Sequence, residues 1–444
     1  MTMDFLAEYD AAPDVEKYPL VRKWIKTNPL PFFKQLRAER PILVTPECTL
    51  LARSSDVRDC LQMPTIFSVD LYKPKMGVTD DNPGYLMAHD DDALHYREKS
   101  IMQSMLNRDD IPRIKKLISD TSKKILDDAD GQIEIVNNYC RMVPVILVQK
   151  YFGFDGIEPE ALFKWSYWNQ YNTFYNQPFD LNPKDKHDHI VQRHEECTAE
   201  LTEYLKAMIL RKLFAVKVKD RVLKPALKIK NAVRGLIGKE PDVHEDDIVT
   251  RMLRSSFPDE VDFPLIRLGR NVGGLLIGTV ETTSKAAAQV IHFFLERPEL
   301  LAQAKAASLL EDTDEIESLV WEALRFVPIG AYMFRQVAQD YIIAEGTEHE
   351  TSLKKGTTVL ALTQSAMFDE CAYKNADEFN KDRNWYNNFT YGFGAHDCLG
   401  KYIGMAMLPE MVRQVLALDG VHAVSAMDFK DGPFPEHYEL VWNK

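Results

Sequence analysis

Several features that would narrow the reading are missing from this chain of 444 residues. No Cys-x-x-Cys pair occurs: Cys48, Cys60, Cys140, Cys197, Cys371 and Cys398 are scattered, which indicates neither a zinc ribbon nor a disulfide framework. No apolar run approaches the roughly 20 residues a spanning helix needs. The opening "MTMDFLAEYDAAPDVEKYPL" is polar and acidic, not a secretory signal. Positive charge is in deficit: the net charge of −13 argues against nucleic acid as a bulk partner. There is no internal repeat and no low-complexity linker. These absences lead us to expect a reducing, cytoplasmic setting and one unit spanning residues 1–444, although the length also allows about three average domains.

The patterns that are present are mostly helical. "PFFKQLRAER" has helical periodicity, "PILVT" and "TLLAR" read as paired strands, and "SSDVRDCLQ" opens with a Ser/Asp cap before another helix. From Asp109 to about Leu309 helix dominates. The C-terminal third mixes helices with short strands such as "GTTVLAL" and ends in "HYELVW". The expected fold class is mainly α with small β-sheets.

The segment "FPLIRLGRNVGGLLIGTVETTSKAAAQVIHFFLERPEL" predicts a helix of about thirty residues, apolar around most of its circumference and so running through the core. Gly278, Thr279, Glu281, Thr282 and Thr283 cluster in its middle, where propensity and burial disfavour them. Two readings stand side by side. The hydroxyls bond back to the helix's own carbonyls, or the ladder is broken to make room for a ligand. A second segment, Lys206 to Lys239, carries eleven basic residues and one acidic residue, Asp220, at amphipathic spacing. It suits anionic lipid or an acidic partner, or is a solvated helical hairpin with long side chains spread over the surface.

In "YGFGAHDCLG" the glycines 392, 394 and 400 let the backbone turn tightly on both sides of Cys398, just before the helical run "LGKYIGMAMLPEMVRQVLAL". A cysteine at a helix N-terminus is favoured as a thiolate, and a thiolate is a nucleophile or a metal ligand. The loop resembles the cysteine signature of the cytochrome P450 superfamily, with Tyr391 in place of the leading Phe. "WEALRF" supplies the family's Glu-x-x-Arg as Glu322 and Arg325, and "ADEFNKDRNW" its third member, Arg383.

The resemblance implies a single-domain haem-thiolate monooxygenase fold with the long helix over haem b. Cys398 would ligate the iron, in a loop whose Gly392 and Phe393 belong to the same signature, and Glu322, Arg325 and Arg383 would form a buried network. Gly278-Thr279-Val280-Glu281-Thr282 matches the family's kinked oxygen-binding groove, with Thr279 for the usual second glycine. Glu281 and Thr282 would be an acid–alcohol pair carrying protons to dioxygen before its O–O bond breaks. His95, Lys99, Arg335 and His396 match contacts to the haem propionates, Lys99 standing where the family has arginine. Substrate contacts would fall on Tyr85, Leu86, Met87, Gly274, Ile277, Gly278, Val327, Ile329, Tyr332 and Met333, a set suited to a lipophilic small molecule.

Because the chain ends soon after this domain, electrons are expected from separate partners, a ferredoxin and its NAD(P)H-dependent reductase, approaching near Lys401. Peripheral membrane contact through 206–239 and a monomeric state complete the expectation. The competing readings are a peroxide-driven or hydroperoxide-rearranging haem-thiolate enzyme, a non-catalytic haem sensor, and a cysteine hydrolase without haem.

Overall fold

In the computed structural model, residues 3–236, 246–255, 257, 261–384 and 388–444 are described. The N-terminal pattern folds as its periodicity requires. Helix Pro29–Glu39 begins on a proline, whose missing N–H costs nothing there, and buries Phe32, Phe33 and Leu36. Strands Ile42–Val44 and Thr49–Leu51 pair antiparallel with Leu43 opposite Leu50. Thr358–Ala361 adds parallel to Thr49–Leu51, and Met333–Val337 and Phe67–Ser68 complete a five-stranded sheet. This register sets Arg335 beside Val359.

Helix Ser54–Gln62 forms where expected, but not by the expected cap. Its N-cap is Arg53 without a side-chain bond, and the Ser54 N–H donates to Asp369 Oδ2 at 2.8 Å, 315 residues away. The helix start is buried, so a distant carboxylate satisfies the N–H that a local side chain would cap at a solvent-exposed end. Among the described residues, the stretch between Asp109 and Leu309 is made of helices joined by loops, with one strand, Gln132–Glu134, which pairs antiparallel with Glu439–Val441 inside "HYELVW".

Helix Leu265–Leu295 runs 31 residues through the core and packs against helices Pro159–Tyr175, Lys184–Leu236 and Lys401–Leu416. Its ladder is continuous. The Thr279 hydroxyl donates to the Leu275 carbonyl and the Thr282 hydroxyl to the Gly278 carbonyl, each at 2.6 Å. Of the two readings of this segment, the back-bonded one is therefore what forms, and the broken ladder is not. A hydroxyl that bonds its own helix is satisfied in the interior without opening a turn.

Lys184–Leu236 is a single helix of 53 residues, not a hairpin. Part of the basic stretch is already neutralised: Lys212 bonds Asp247 at 2.7 Å, and Lys206 bonds Glu203 at 2.7 Å. The side chains of 219–236 and all of 237–239 lie outside the described residues, so most of that basic patch does too. Among the described residues no helix is long and apolar enough to cross a membrane.

Candidate active site

One cavity of about 1990 Å³ opens between the long helix, the five-stranded sheet and the cysteine loop. Gly274, Ile277, Gly278, Thr279, Thr282 and Thr283 line it from the long helix. Tyr85, Met87, Val327, Ile329 and Tyr332 line it from the loops, Met333 and Arg335 from the sheet, and His396 and Cys398 from the cysteine loop. A Cβ at Gly278 would meet nothing within 4 Å, so this turn of the helix leaves open space. At Gly274 the reverse holds: a Cβ would stand 2.2 Å from the Tyr85 ring, which lies flush on the helix.

The cysteine loop is built by glycines where the backbone demands them. Gly392 and Gly394 have φ of 74° and 73°, in the left-handed region that favours glycine. A Cβ on Gly394 would also fall 2.6 Å from the Leu61 carbonyl oxygen. The Cys398 N–H donates to the Tyr391 carbonyl at 2.8 Å, closing the loop just before helix Lys401–Leu416. Phe393 is held from outside by Arg58, whose guanidinium carbon lies 4.4 Å from the ring centroid. Neither Gly392 nor Phe393 lines the cavity; they shape the loop that presents Cys398.

The Cys398 sulfur is exposed to the cavity. Burial pushes its thiol above the ordinary range, while the Gly400 N–H, Lys99 and Lys401 pull it down. The helix N-terminus therefore does not by itself stabilise a thiolate here. A metal cation in contact would offset the burial, and a lone soft sulfur facing a large apolar cavity is the donor chemistry of a haem iron. Arg335, a cation, and His396, which burial pushes down to about 4 and keeps neutral, also line the cavity and would meet the haem's carboxylates. His396 Nε2 makes no hydrogen bond and stands 3.4 Å from Asp90 Oδ1. The residues present fit the group.

His95 and Lys99 are placed differently from the expectation. Both are buried, and neither lines the cavity. The ring nitrogens of His95 lie 3.1 Å from the Leu86 carbonyl and 3.0 Å from the Ala395 carbonyl. Lys99 Nζ donates to the Ala395 carbonyl at 2.6 Å, to the Asp397 carbonyl at 3.1 Å and to Asp397 Oδ1 at 2.6 Å. These two residues fasten helix Ala93–Met105 to the cysteine loop, because the loop's inward-turned carbonyls need donors. Leu86 is likewise in the core and not on the cavity wall.

Glu322, Arg325 and Arg383 come together as expected. Arg325 Nη2 and Arg383 Nε reach Glu322 Oε1 at 2.6 and 3.0 Å. Arg325 also donates to the carbonyls of Met367, Ala376 and Glu378, and Arg383 to those of Lys374, Asn375 and Glu378. The network thus ties the Asp314–Phe326 helix to the segment leading into the cysteine loop.

The expected acid–alcohol pair is split between two sides of the long helix. Thr282 lines the cavity; Glu281 does not. Glu281 is fully buried and bound by Arg141, whose Nε lies 3.0 Å from Oε1 and whose Nη2 lies 3.1 Å from Oε2. Glu436 shares the same guanidinium at 3.1 and 3.2 Å. Burial raises the Glu281 carboxyl to about 7, Arg141 opposing and Glu436 reinforcing the shift. Arg141, Glu436 and the cavity-lining Lys285 were missed. Arg141 and Glu436 are remote from the helix in sequence, and the only local signal for Lys285 was a lysine at the end of the polar cluster, just before the apolar run from Ala286.

A helical body around a cavity faced by a glycine-presented cysteine, with a Glu-Arg-Arg network behind it, defines a haem-thiolate protein. The family model described as Cytochrome P450 matches residues 112–418, and the chain belongs to that family of monooxygenases, whose members bind haem b. It is 22% identical over 383 residues to Cytochrome P450 109 of Bacillus spizizenii, covering 84% of this chain and 80% of that protein. It is also 22% identical over 359 residues to a steroid C26-monooxygenase of Mycolicibacterium smegmatis, covering 78% and 75%. Among solved structures, a cytochrome P450 from Chondromyces apiculatus superposes with a TM-score of 0.72 at 19% identity, over 94% of this chain and 96% of that one.

Proposed function

We propose that this monooxygenase oxidises a lipophilic small molecule with dioxygen, using electrons from NAD(P)H delivered by a ferredoxin and its reductase. The observation that carries the reading is the placing of Cys398 and Thr282 on the walls of one cavity whose other walls include Met87, Ile277, Val327, Ile329 and Met333. Cys398 would hold the haem, and Arg335 and His396 its carboxylates. When bound, haem supplies the iron at which dioxygen is activated. The protein's part is to exclude water, orient the substrate and move protons.

Thr282 is the hydroxyl placed to hand a proton into the cavity once it turns from the Gly278 carbonyl. Glu281 is the proton's source in this reading: it neighbours Thr282 in the helix, and its carboxyl titrates near neutrality. Reaching Thr282 requires Glu281 to leave Arg141. The hydroxyl of Tyr332 is not free to anchor substrate, since Arg22 and Asp180 already engage it.

The test begins with the absorption spectrum of the ferrous–CO complex, which reports thiolate ligation. Turnover with NAD(P)H and a surrogate redox chain is then compared with turnover on peroxide alone. Product from the first and little from the second supports the reading; peroxide-only turnover favours the hydroperoxide-consuming alternative. Thr282→Ala should consume NAD(P)H with most electrons lost to peroxide, and Thr282→Ser should recover coupling. If Thr282→Ala and Glu281→Gln leave turnover intact, the relay is refuted.

Peripheral contact with anionic lipid is the second part of the proposal. Leu210, Phe214 and Val218 are 63, 72 and 44% exposed at four-residue spacing beside the exposed Lys217. Phe214→Ser combined with Lys217→Gln should weaken co-sedimentation with phosphatidylserine vesicles, and unchanged binding rejects the contact.

A further inference from the structure

Lys285 occupies an unusual place for an ammonium group. It lies three residues beyond Thr282 on the long helix, about 4.5 Å along the axis and on the same face. It lines the cavity. Its Nζ is 5.3 Å from the Tyr175 ring centroid and 5.9 Å from that of Phe434, and no hydrogen bond or ion pair reaches it among the described residues. Burial pushes the amine down to about 8, with no neighbouring carboxylate to oppose the shift. One helical turn further on, Gln289 also lines the cavity, and its side-chain oxygen is buried without a partner.

Other cations around this cavity are engaged or, like Lys23, Lys26 and Lys430, exposed to solvent. Arg22 bonds Asp180 at 2.9 Å, Lys75 donates to the Asn176 carbonyl at 2.8 Å, and Lys186 donates to the Asp431 carbonyl at 3.0 Å. Arg270, on the same helix, stands twelve residues before Thr282, about 18 Å along the axis.

An unpaired ammonium facing an apolar cavity is costly unless an anion meets it. We propose that the substrate is an amphiphile bearing one carboxylate and that Lys285 receives it, laying the apolar part of the molecule along Thr282. This deepens the reading of the cavity as the oxidising site and rests on it. A monoanion fits better than a phosphate dianion, whose second charge would stay buried without a partner. The Tyr175 and Phe434 rings flank the ammonium and leave its remaining donors to the ligand.

Calorimetric titration of the haem-loaded protein with decanoate, dodecanoate and hexadecanoate, and with the alcohols of the same lengths, tests this. At least one carboxylate should bind tenfold or more tightly than its alcohol. Lys285→Met should abolish that preference by weakening the carboxylate at least tenfold while leaving the alcohol unchanged, and Lys285→Arg should retain it. No preference in the wild type, no carboxylate binding at any length, or a preference that survives in Lys285→Met overturns the proposal. Failure of the underlying reading is separate: it shows as a ferrous–CO spectrum without thiolate character, whatever the titrations give.

Discussion

Arg141 and Glu281 meet across 140 residues of sequence, Nε to Oε1 at 3.0 Å, in a part of the core that the solvent does not reach. The guanidinium also holds Glu436, so two carboxylates share one full positive charge. That excess of acid, added to burial, keeps the Glu281 carboxyl protonatable near neutral pH. The same guanidinium pins the Pro435–Glu436 stretch, beside Phe434, whose ring flanks the cavity-lining Lys285.

A pH dependence of stability follows. The folded Glu281 carboxyl lies at about 7 and its ordinary value is 4.5, so between these the folded state holds a proton that the unfolded state has released. Folding is therefore favoured at the acid end of this window and loses stability as pH rises through it, by a few kcal/mol at about 1.4 kcal/mol per unit. Glu281→Gln removes this contribution. Thermal midpoints measured at intervals from pH 5 to pH 8 should show a flatter profile for Glu281→Gln than for the wild type, and parallel profiles would contradict the assignment.

The Glu322–Arg325 pair predicts a different kind of loss. Both side chains are buried, and Arg325 additionally serves three backbone carbonyls. Removing one partner leaves an uncompensated charge inside, a cost of about 3–5 kcal/mol. Glu322→Gln and Arg325→Met should each lower the denaturation midpoint sharply and reduce the haem recovered per chain. Arg325→Lys should rescue little, since one ammonium cannot match the fork that reaches Glu322 and the Met367, Ala376 and Glu378 carbonyls.

Lys99 offers a test of how the cysteine loop is held. Its three donated bonds go to the Ala395 carbonyl and to the carbonyl and carboxylate of Asp397, directly before the cysteine. Lys99→Met leaves those acceptors without their charged donor, at about 1.5–3 kcal/mol for a charge-assisted bond. The expected outcome is a larger fraction of ferrous–CO complex lacking the thiolate band. A propionate role would instead show as weaker haem retention with thiolate ligation intact.

What the sequence disclosed was what lies close together along the chain. Cys398 and its glycines, and Glu322 with Arg325, are contiguous patterns, and both occur where they were expected. The long helix followed from a segment apolar around most of its circumference, despite the polar cluster in its middle. The Arg141–Glu436 clamp escaped notice because its members sit 295 residues apart and each reads alone as a surface charge. The same distance problem misplaced His95 and Lys99. The resemblance put them against the haem's carboxylates, but which acceptors they meet depends on the fold of a loop 296 to 300 residues away. The cap of helix Ser54–Gln62 failed for the same reason, local chemistry being overridden by a long-range carboxylate.

Two glycines separate backbone necessity from room for a ligand. Gly394 sits at φ 73°, and an added Cβ would press to 2.6 Å from the Leu61 carbonyl oxygen and 3.1 Å from Gln62 Cα, both of them backbone atoms that no rotamer change can move. Gly394→Ala should therefore distort the loop and deplete thiolate-ligated haem. Gly278 is an ordinary helical position whose Cβ would meet nothing within 4 Å. Gly278→Ala should raise the thermal midpoint slightly, by up to about 1 kcal/mol of helix propensity, while filling space beside Thr282. Its cost should fall on binding: substrate affinity drops while the ferrous–CO spectrum stays that of the wild type. Were Gly278→Ala to lose thiolate ligation while Gly394→Ala kept it, the division of labour between the two walls of the cavity would be the reverse of the one described.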